Sequence, residues 1–402
     1  MKRLTILGST GSIGCNTLDV LRGHRNEYEV YALVAGQNAN LLASQIVEFR
    51  PKAVVVATEN VRASLTDRLS GLNLARPDWP QIEFGARALV EAAVAPEVDI
   101  VMSAIVGVAG LEATYEAVRR RKKVGLANKE VLVASGKLVM EAAREAGTEL
   151  IPVDSEHNGV HQCLRAGRRG DVARILLTAS GGPFRDTPKE KLAAVTPEQA
   201  LNHPTWKMGR RITIDCATLM NKGFEVIEAC WLFDARPQDI EVVVHPQSTV
   251  HAMVEFQDGS VVAQLCATDM RMPIQYALTY PAREPAPVPR LDWTAVRRWD
   301  FGPPDFDKFP LLKLAYEAQE TGGSATCTLN AADEIAVEAF LNGEIPFPGI
   351  WQIVAETLER VPVQEPCSVA EVLEIDAKSR EVARGLVERF PAAPVGATGR
   401  RG

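Results

Sequence analysis

Four short stretches of this chain carry residues whose types and spacing could do chemistry. In IPVDSEHNGVHQC, Asp154 and Glu156 stand two residues apart, directly after the sixth expected strand, close enough to converge on one cation. The same acids could equally begin a solvated helix, with Asp154 or Ser155 as its N-cap. His157 and His161 have the i, i+4 spacing of zinc ligands, but E-H-x-x-x-H lacks the intervening glutamate of H-E-x-x-H, so capping or core roles are expected. In DCATLMNKGFEVIEAC, Lys222 and Glu225 fall near one helix face and Asn221 can begin the helix. The plain reading there is a surface ion pair. In LLTASGGPF, Ser180-Gly181-Gly182 offers a hydroxyl and free amides to an anion. Thr178 stands where a G-x-S-x-G elbow needs its first glycine, so acyl chemistry is set aside. In LANKEVLVASG, Lys129 lies between Asn128 and Glu130 where a strand gives way to a helix. That edge suits an ammonium reaching a ligand, although an N-capped helix alone would explain the same letters.

Residues so scattered need a scaffold. Through the first 150 residues, the apolar runs RLTILG, EVYALVAG, KAVVVA, VDIVMSAIVG, KKVGLAN and TELIPV alternate with amphipathic stretches. Strands this uniformly apolar are covered on both faces, which implies a parallel, Rossmann-like α/β sheet. Gly8, Gly11 and Gly14 in GSTGSIG miss the usual G-x-G-x-x-G spacing. They still provide a tight turn after the first strand and a helix N-terminus for a pyrophosphate. After the second strand the chain reads Val34-Ala35-Gly36-Gln37-Asn38, with no acid for a ribose hydroxyl, which favours NADP over NAD. From Arg174 onward RILLTASGG, EVVVHPQ and TVHAMVEFQDGSVVAQLCA read as strands, the last a hairpin around Asp258-Gly259, giving a central α+β region. Seven prolines between Pro281 and Pro310 mark an extended linker. Beyond it the periodicity is helical, and PAAPVGATGRRG reads as a disordered tail. The expected divisions are 1–153, 154–280, a linker over 281–310, a C-terminal α-helical domain over 311–395, and the tail 396–402.

Composition narrows the class. The net charge of -7 argues against a nucleic-acid partner but leaves room for a local pocket taking an anionic metabolite. No apolar run is long enough to span a bilayer or act as a signal peptide, and seven scattered cysteines never pair as C-x-x-C. A cytoplasmic enzyme is expected.

Taken in order, GSTGSIG, SAIVGVAGL, LANKE, PVDSEH, TASGGPF, HPTWKMGR, MNKGFE, HPQS, DMRMPI and ATCTLNAADEIAVEAFL resemble the 1-deoxy-D-xylulose 5-phosphate reductoisomerases across nearly the whole chain. The resemblance implies an NADPH- and divalent-metal-dependent (Mn²⁺, Mg²⁺ or Co²⁺) enzyme of the non-mevalonate isoprenoid pathway. It also implies a homodimer with an NADPH domain, a central catalytic and dimerisation domain and a helical C-terminal domain. NADPH contacts would fall on Thr10, Gly11, Ser12, Ile13, Gly36, Gln37, Asn38, Asn128, Glu130 and Gly209. Metal ligands would fall on Asp154, Glu156 and Glu225. Substrate contacts would fall on Lys129, Ser155, Glu156, Ser180, His203, Cys216, Asn221, Lys222 and Glu225, with Trp206 and Met208 in a closing flap. Catalysis is implied for Lys129, Asp154, Glu156 and Glu225.

Two positions depart from the family pattern. Gln37 stands where lysine is common, which weakens the contact to the extra phosphate of NADPH. Cys216 replaces a serine expected to hydrogen-bond the substrate phosphate, and losing such a bond costs about 1.5 to 3 kcal/mol, roughly ten- to a hundredfold in affinity. Two other readings compete. A two-domain NADP-dependent semialdehyde dehydrogenase would turn over without metal, and a redox-sensing NADP-binding protein would leave Asp154, Glu156 and Glu225 without a role.

Overall fold

A computed structural model describes residues 1–72, 75–206, 208–295 and 298–390. The expected tail, 396–402, lies outside them. The first part alternates strictly: β1 (Lys2–Leu7), α1 (Ser12–Arg22), β2 (Tyr28–Ala35), α2 (Ala39–Phe49), β3 (Ala53–Val56), α3 (Glu59–Ser70), β4 (Gln81–Phe84) and α4 (Gly85–Val94). It continues through β5 (Ile100–Ser103), α5 (Leu111–Arg119), β6 (Lys123–Leu126), α6 (Lys129–Ala146), β7 (Leu150–Pro152) and α7 (Ser155–Cys163). Next come β8 (Val172–Ala179), α8 (Pro197–Ala200), α9 (Arg210–Ala217), α10 (Met220–Leu232), β9 (Ile240–Val244), β10 (Val250–Phe256), β11 (Val261–Leu265) and α11 (Arg271–Thr279). Helices α12 (Pro310–Thr321), α13 (Ala325–Leu341), α14 (Gly349–Arg360) and α15 (Val369–Val387) complete the chain. The protein is α/β at its N-terminus, α+β in its middle and helical at its C-terminus.

The large sheet runs β4-β3-β2-β1-β5-β6-β7 and its pairs are parallel. The strand order reverses at β1, where an open α/β sheet leaves a crevice at the carboxyl ends of its strands. Alternation along β1 shows why the sheet is covered twice. Leu4 and Ile6 are fully buried in a core with Leu18, Leu42, Ile46 and Ile274, while Thr5 is buried on the other face and its hydroxyl donates to Ala92 O in α4 at 2.9 Å. Each fully buried Leu or Ile contributes about 1.5 to 3 kcal/mol.

An edge strand and a helix are among the elements that escaped the pattern. Strand β4 makes TELIPV the seventh strand rather than the sixth; it is four residues long, sits at the sheet edge and is buried at none of its positions, so it carries no apolar run to read. Helix α11 is nine residues long, carries Pro273 near its start, and sends Ile274, Tyr276, Ala277 and Leu278 back onto the core of the parallel sheet. Strands β8 to β11 form a second sheet in the order β11-β10-β8-β9. The hairpin expected at Asp258-Gly259 joins β10 to β11 in antiparallel register, with Gly259 at φ +82°. The proline-rich stretch holds no helix among its described residues before Pro310, which opens α12. Chain packing divides the described residues into two compact units, one within 1–176, 231–234 and 249–295, the other within 177–230, 235–248 and 298–390.

Candidate functional site

In the first unit the glycine turn is built for close backbone approach. Gly8 has φ +90°, and a Cβ there would lie 2.5 Å from Ala104 O; a Cβ on Gly14 would lie 2.3 Å from Gly8 O. The Gly8 and Ser9 amides both bond Val34 O, at 3.0 and 2.7 Å, so the turn is pinned to the end of β2. Gly11 and Ser12, and across from them Gly36, Gln37 and Asn38, are exposed, while Thr10 and Ile13 are partly buried. Free amides at the start of α1 thus face solvent at the switch point, the arrangement that receives a dinucleotide phosphate. Asn38 caps α2, its side chain accepting from Leu41 N at 3.1 Å.

Asn128 occupies the N-cap of α6, but its side chain does not cap. Its buried amide instead donates to Ile105 O and, at 3.0 Å, to Gly107 O, tying the loop after β5 to the start of α6. Glu130 is largely buried in the first turn of that helix.

Asp154 is likewise the N-cap residue of α7 without a side-chain cap bond. Its carboxylate pairs with Lys129 Nζ, and His157 Nδ1 lies 3.6 Å from it. Burial works to raise the pKa of this carboxyl, but the Lys129 charge and the His157 contact outweigh it and hold the group well below the usual range. Asn158 fixes the geometry: its amide donates to Pro152 O at 2.8 Å and Pro273 O at 3.4 Å, locking α7 against the end of β7 and against α11. Next to Asp154, the Ser155 hydroxyl donates to Glu156 Oε2. The sequence reading of His157 and His161 as core histidines holds in part. His157 is fully buried but sits on Asp154, whereas His161 bonds Tyr276 Oη at 2.9 Å.

The second unit gathers a separate group. A Cβ on Gly182, at φ +67°, would come within 2.5 Å of Cys216 O, so the Ser180-Gly181-Gly182 loop rests directly on the last turn of α9. His203 Nδ1 accepts from the amides of Thr205 and Trp206 at 3.2 and 3.0 Å. Its proton is therefore assigned to Nε2, which donates to Ser180 Oγ at 3.1 Å, and burial lowers its pKa in keeping with a neutral ring. Gly182 N also donates to Ser180 Oγ, at 3.2 Å. With its oxygen already accepting two bonds, Ser180 has its hydroxyl proton to give. Trp206 and Met208 are partly buried beyond His203, and Gly209 is the N-cap of α9.

The expected surface pair on α10 is overturned. Lys222 Nζ meets Glu225 Oε2 with side-chain exposures of only 4% and 1%, and Asn221 Nδ2 donates to Glu225 Oε1 at 2.7 Å. Lys222 lies in the interior because α10 packs closely on α12: a Cβ on Gly223 would fall 2.6 Å from Ala315 Cβ. A carboxylate and an ammonium that deep form a functional arrangement or a costly one. Arg211 was not singled out by sequence, though its spacing of four from Asp215 was there to see; its guanidinium bonds Glu334 and Asn330 at 2.7 and 2.9 Å.

The comparisons with known proteins agree along the chain. A family model described as 1-deoxy-D-xylulose 5-phosphate reductoisomerase matches residues 4–136, and two models of the C-terminal domains of that enzyme match 150–233 and 265–382. The chain is 67% identical over 395 residues to the 1-deoxy-D-xylulose 5-phosphate reductoisomerase of Solibacter usitatus, covering 98% of this chain and 100% of that one. It is 50% identical to the enzyme of that name from Dechloromonas aromatica, covering 97% and 98%. Among solved structures it is similar to the reductoisomerase of Zymomonas mobilis in complex with NADPH, with TM-score 0.89, 44% identity, and coverage of 97% and 100%. A reductoisomerase in complex with NADPH, fosmidomycin and magnesium gives TM-score 0.90 at 39% identity, with the same coverage.

Proposed function

The chain belongs to the 1-deoxy-D-xylulose 5-phosphate reductoisomerase family and is an enzyme that, with a divalent metal and NADPH, converts that sugar phosphate to 2-C-methyl-D-erythritol 4-phosphate; we propose that the residues gathered above divide the work between them. We assign NADPH to the turn Thr10, Gly11, Ser12 and Ile13, to Gly36, Gln37 and Asn38, and to Asn128, Glu130 and Gly209. The close backbone approaches at Gly8 and Gly14, with Gly11 and Ser12 exposed at the start of α1, fit a phosphate-bearing cofactor. We assign the metal to Asp154, Glu156 and Glu225, an all-carboxylate donor set of the kind that suits Mg²⁺ or Mn²⁺. When bound, the ion supplies a Lewis acid for the substrate carbonyl and a neighbouring hydroxyl, and the cofactor supplies hydride.

The protein's own groups do the rest. Ser180 donates a hydrogen bond from its hydroxyl to the substrate phosphate, with Lys222, Asn221, Cys216 and His203 completing the cradle, so the phosphate acts as a remote handle that orients the reacting carbons. Lys129 Nζ donates and the Glu156 carboxylate accepts the protons that leave and return to substrate hydroxyls during the retroaldol and aldol rearrangement. Trp206 and Met208 close over the site and exclude water from the aldehyde before it is reduced. The observation that carries this reading is the buried Lys222 and Glu225 pair at the start of α10: a structural helix has no use for two charges there, and phosphate and metal recognition do.

The work is further proposed to follow the chain, with NADPH on 1–153, catalysis and dimerisation on 154–280 and a helical domain over 311–395. A cytoplasmic homodimer is part of the same reading. Val261, half exposed on edge strand β11, supports it, and light scattering tests it. No helix among the described residues is long and apolar enough to cross a membrane.

NADPH consumption with the sugar phosphate, with and without chelator, tests the metal requirement. Glu225→Gln tests the ligand set: weaker Mn²⁺ binding by calorimetry is expected, and unaltered affinity would overturn the assignment. Metal-independent turnover of a semialdehyde would instead favour a plain dehydrogenase.

A further inference from the structure

Helix α9 carries Cys216 and α10 carries Asn221 and Lys222, and the two are joined by a two-residue turn in which Leu219 N donates to Cys216 O and Met220 N to Thr218 Oγ1, each at 3.3 Å. One side chain reaches all the elements concerned. Arg211, on the first turn of α9, donates from Nη1 to Glu334 Oε1 at 2.7 Å and from Nη2 to Asn330 Oδ1 at 2.9 Å, both on α13. Its guanidinium carbon also lies 5.8 Å from the centroid of Phe224, the α10 residue next to Glu225. Its Nε lies 3.6 Å from Asp215 and its Nη2 lies 3.7 Å from Asp333. Glu334 is in turn held by Arg380 of α15 at 2.7 Å, and Arg380 by Asp376 at 2.6 Å. The guanidinium is mostly buried, and its planar fork meets partners in two directions at once, which a lysine could not do.

We propose that Arg211 is a positioning residue for substrate phosphate recognition: by tying α9 to α10 and α13 it holds Cys216, Asn221 and Lys222 in the register that meets the phosphate. The inference rests on the phosphate cradle assigned above. None of the Arg211 partners touches the substrate in that assignment, so the residue acts through the helices. Asp333 belongs to the same support. It is completely buried beside Asp215, and burial together with that neighbouring carboxylate pushes its carboxyl well above the ordinary range against the pull of Arg211. An asparagine would match its shape.

The test uses the full chain with saturating NADPH and Mg²⁺, and reads KM and kcat for the sugar phosphate together with calorimetric affinity for it in Mg²⁺ without NADPH. Arg211→Met is expected to raise KM and the dissociation constant about tenfold, a fraction of the hundredfold that a full ångström of misplacement costs. Its kcat should fall less than its KM rises, because the phosphate is a remote handle rather than the reacting centre. Arg211→Lys should fall between, and serves if the methionine variant does not fold. Ser180→Ala separates the two layers of the reading. If Ser180→Ala raises KM and the Arg211 variants lose only thermal stability or active fraction, Arg211 is merely structural and the inference is overturned. If neither moves KM, the phosphate cradle itself is misassigned and the inference falls with it.

Discussion

Cys216→Ser isolates one hydrogen bond to the substrate phosphate. Cys216 is the next-to-last residue of α9, and the Ser180-Gly182 loop sits so close over its carbonyl that position 216 and the Ser180 hydroxyl share one neighbourhood. A thiol there is a weak donor, whereas a serine hydroxyl would give a charge-assisted bond. Hydrogen bonds to charged groups contribute about 1.5 to 3 kcal/mol, and the partial exposure of Cys216 puts the gain near the lower end, about 1.5 kcal/mol or roughly tenfold. Replacing sulfur by oxygen removes little packing at a part-buried site and should not offset this. The expected result is a KM and a calorimetric dissociation constant for the sugar phosphate about tenfold lower, with KM for NADPH unchanged. An unchanged or higher value for the sugar phosphate would show that position 216 makes no bond to the phosphate, and would remove it from the cradle.

Gly14→Ala would place a methyl 2.3 Å from Gly8 O, so the turn must shift by an overpacking cost of about 1 to 3 kcal/mol; fluorescence titration should show NADPH binding weakened at least tenfold, and an unchanged constant would separate this turn from the cofactor. Lys222→Met leaves Glu225 buried without its ammonium and should lower stability by about 3 to 5 kcal/mol in urea melts with chelator present, whereas a shift within error would mean that the carboxylate finds another partner. His161 is held neutral, its pKa lowered to about 4 by burial and then by Arg165 and Lys123. Between its unfolded value near 6.5 and about pH 4 the unfolded chain binds the extra proton, so stability falls as pH drops through that window, by about 2 kcal/mol after allowing for its partial exposure. His161→Gln should flatten that acid limb of urea midpoint against pH, and a limb of unchanged slope would place the titration elsewhere.

The strands of the parallel sheet were legible because both faces are buried, so β2 and β5 are apolar at nearly every position, and β1 is buried through its last four residues with Thr5 as its one polar member there. Edge strand β4 has no such run, and its pairing to β3 is dictated by the sheet rather than by its own residues. Helix α11 was hidden for a different reason. Nine residues that begin Arg-Met-Pro carry little helical signal, and their apolar side chains make sense only once the core they rejoin, built from residues between Leu4 and Val153, is known.

For the candidate site, residue type was legible and environment was not. The spacing of Lys222 and Glu225 describes an exposed i, i+3 pair as well as a buried one, since the difference lies in what covers α10, and Gly223 was the one local sign that another helix comes within contact there. The glycine turn was the converse case: its spacing broke the usual rule, but its place between the first strand and the first helix fixed what it could do, and the close approaches at Gly8 and Gly14 show that geometry and not the motif is what matters. Asp154 and Asn128 make the same point at helix starts, where each occupies the capping position while its side chain is used elsewhere, Asp154 on Lys129 and Asn128 on the 105–107 loop. A capping residue whose side chain leaves its cap has been taken for another task, and at two helix starts within one unit that is the pattern of a site built at the carboxyl ends of the strands.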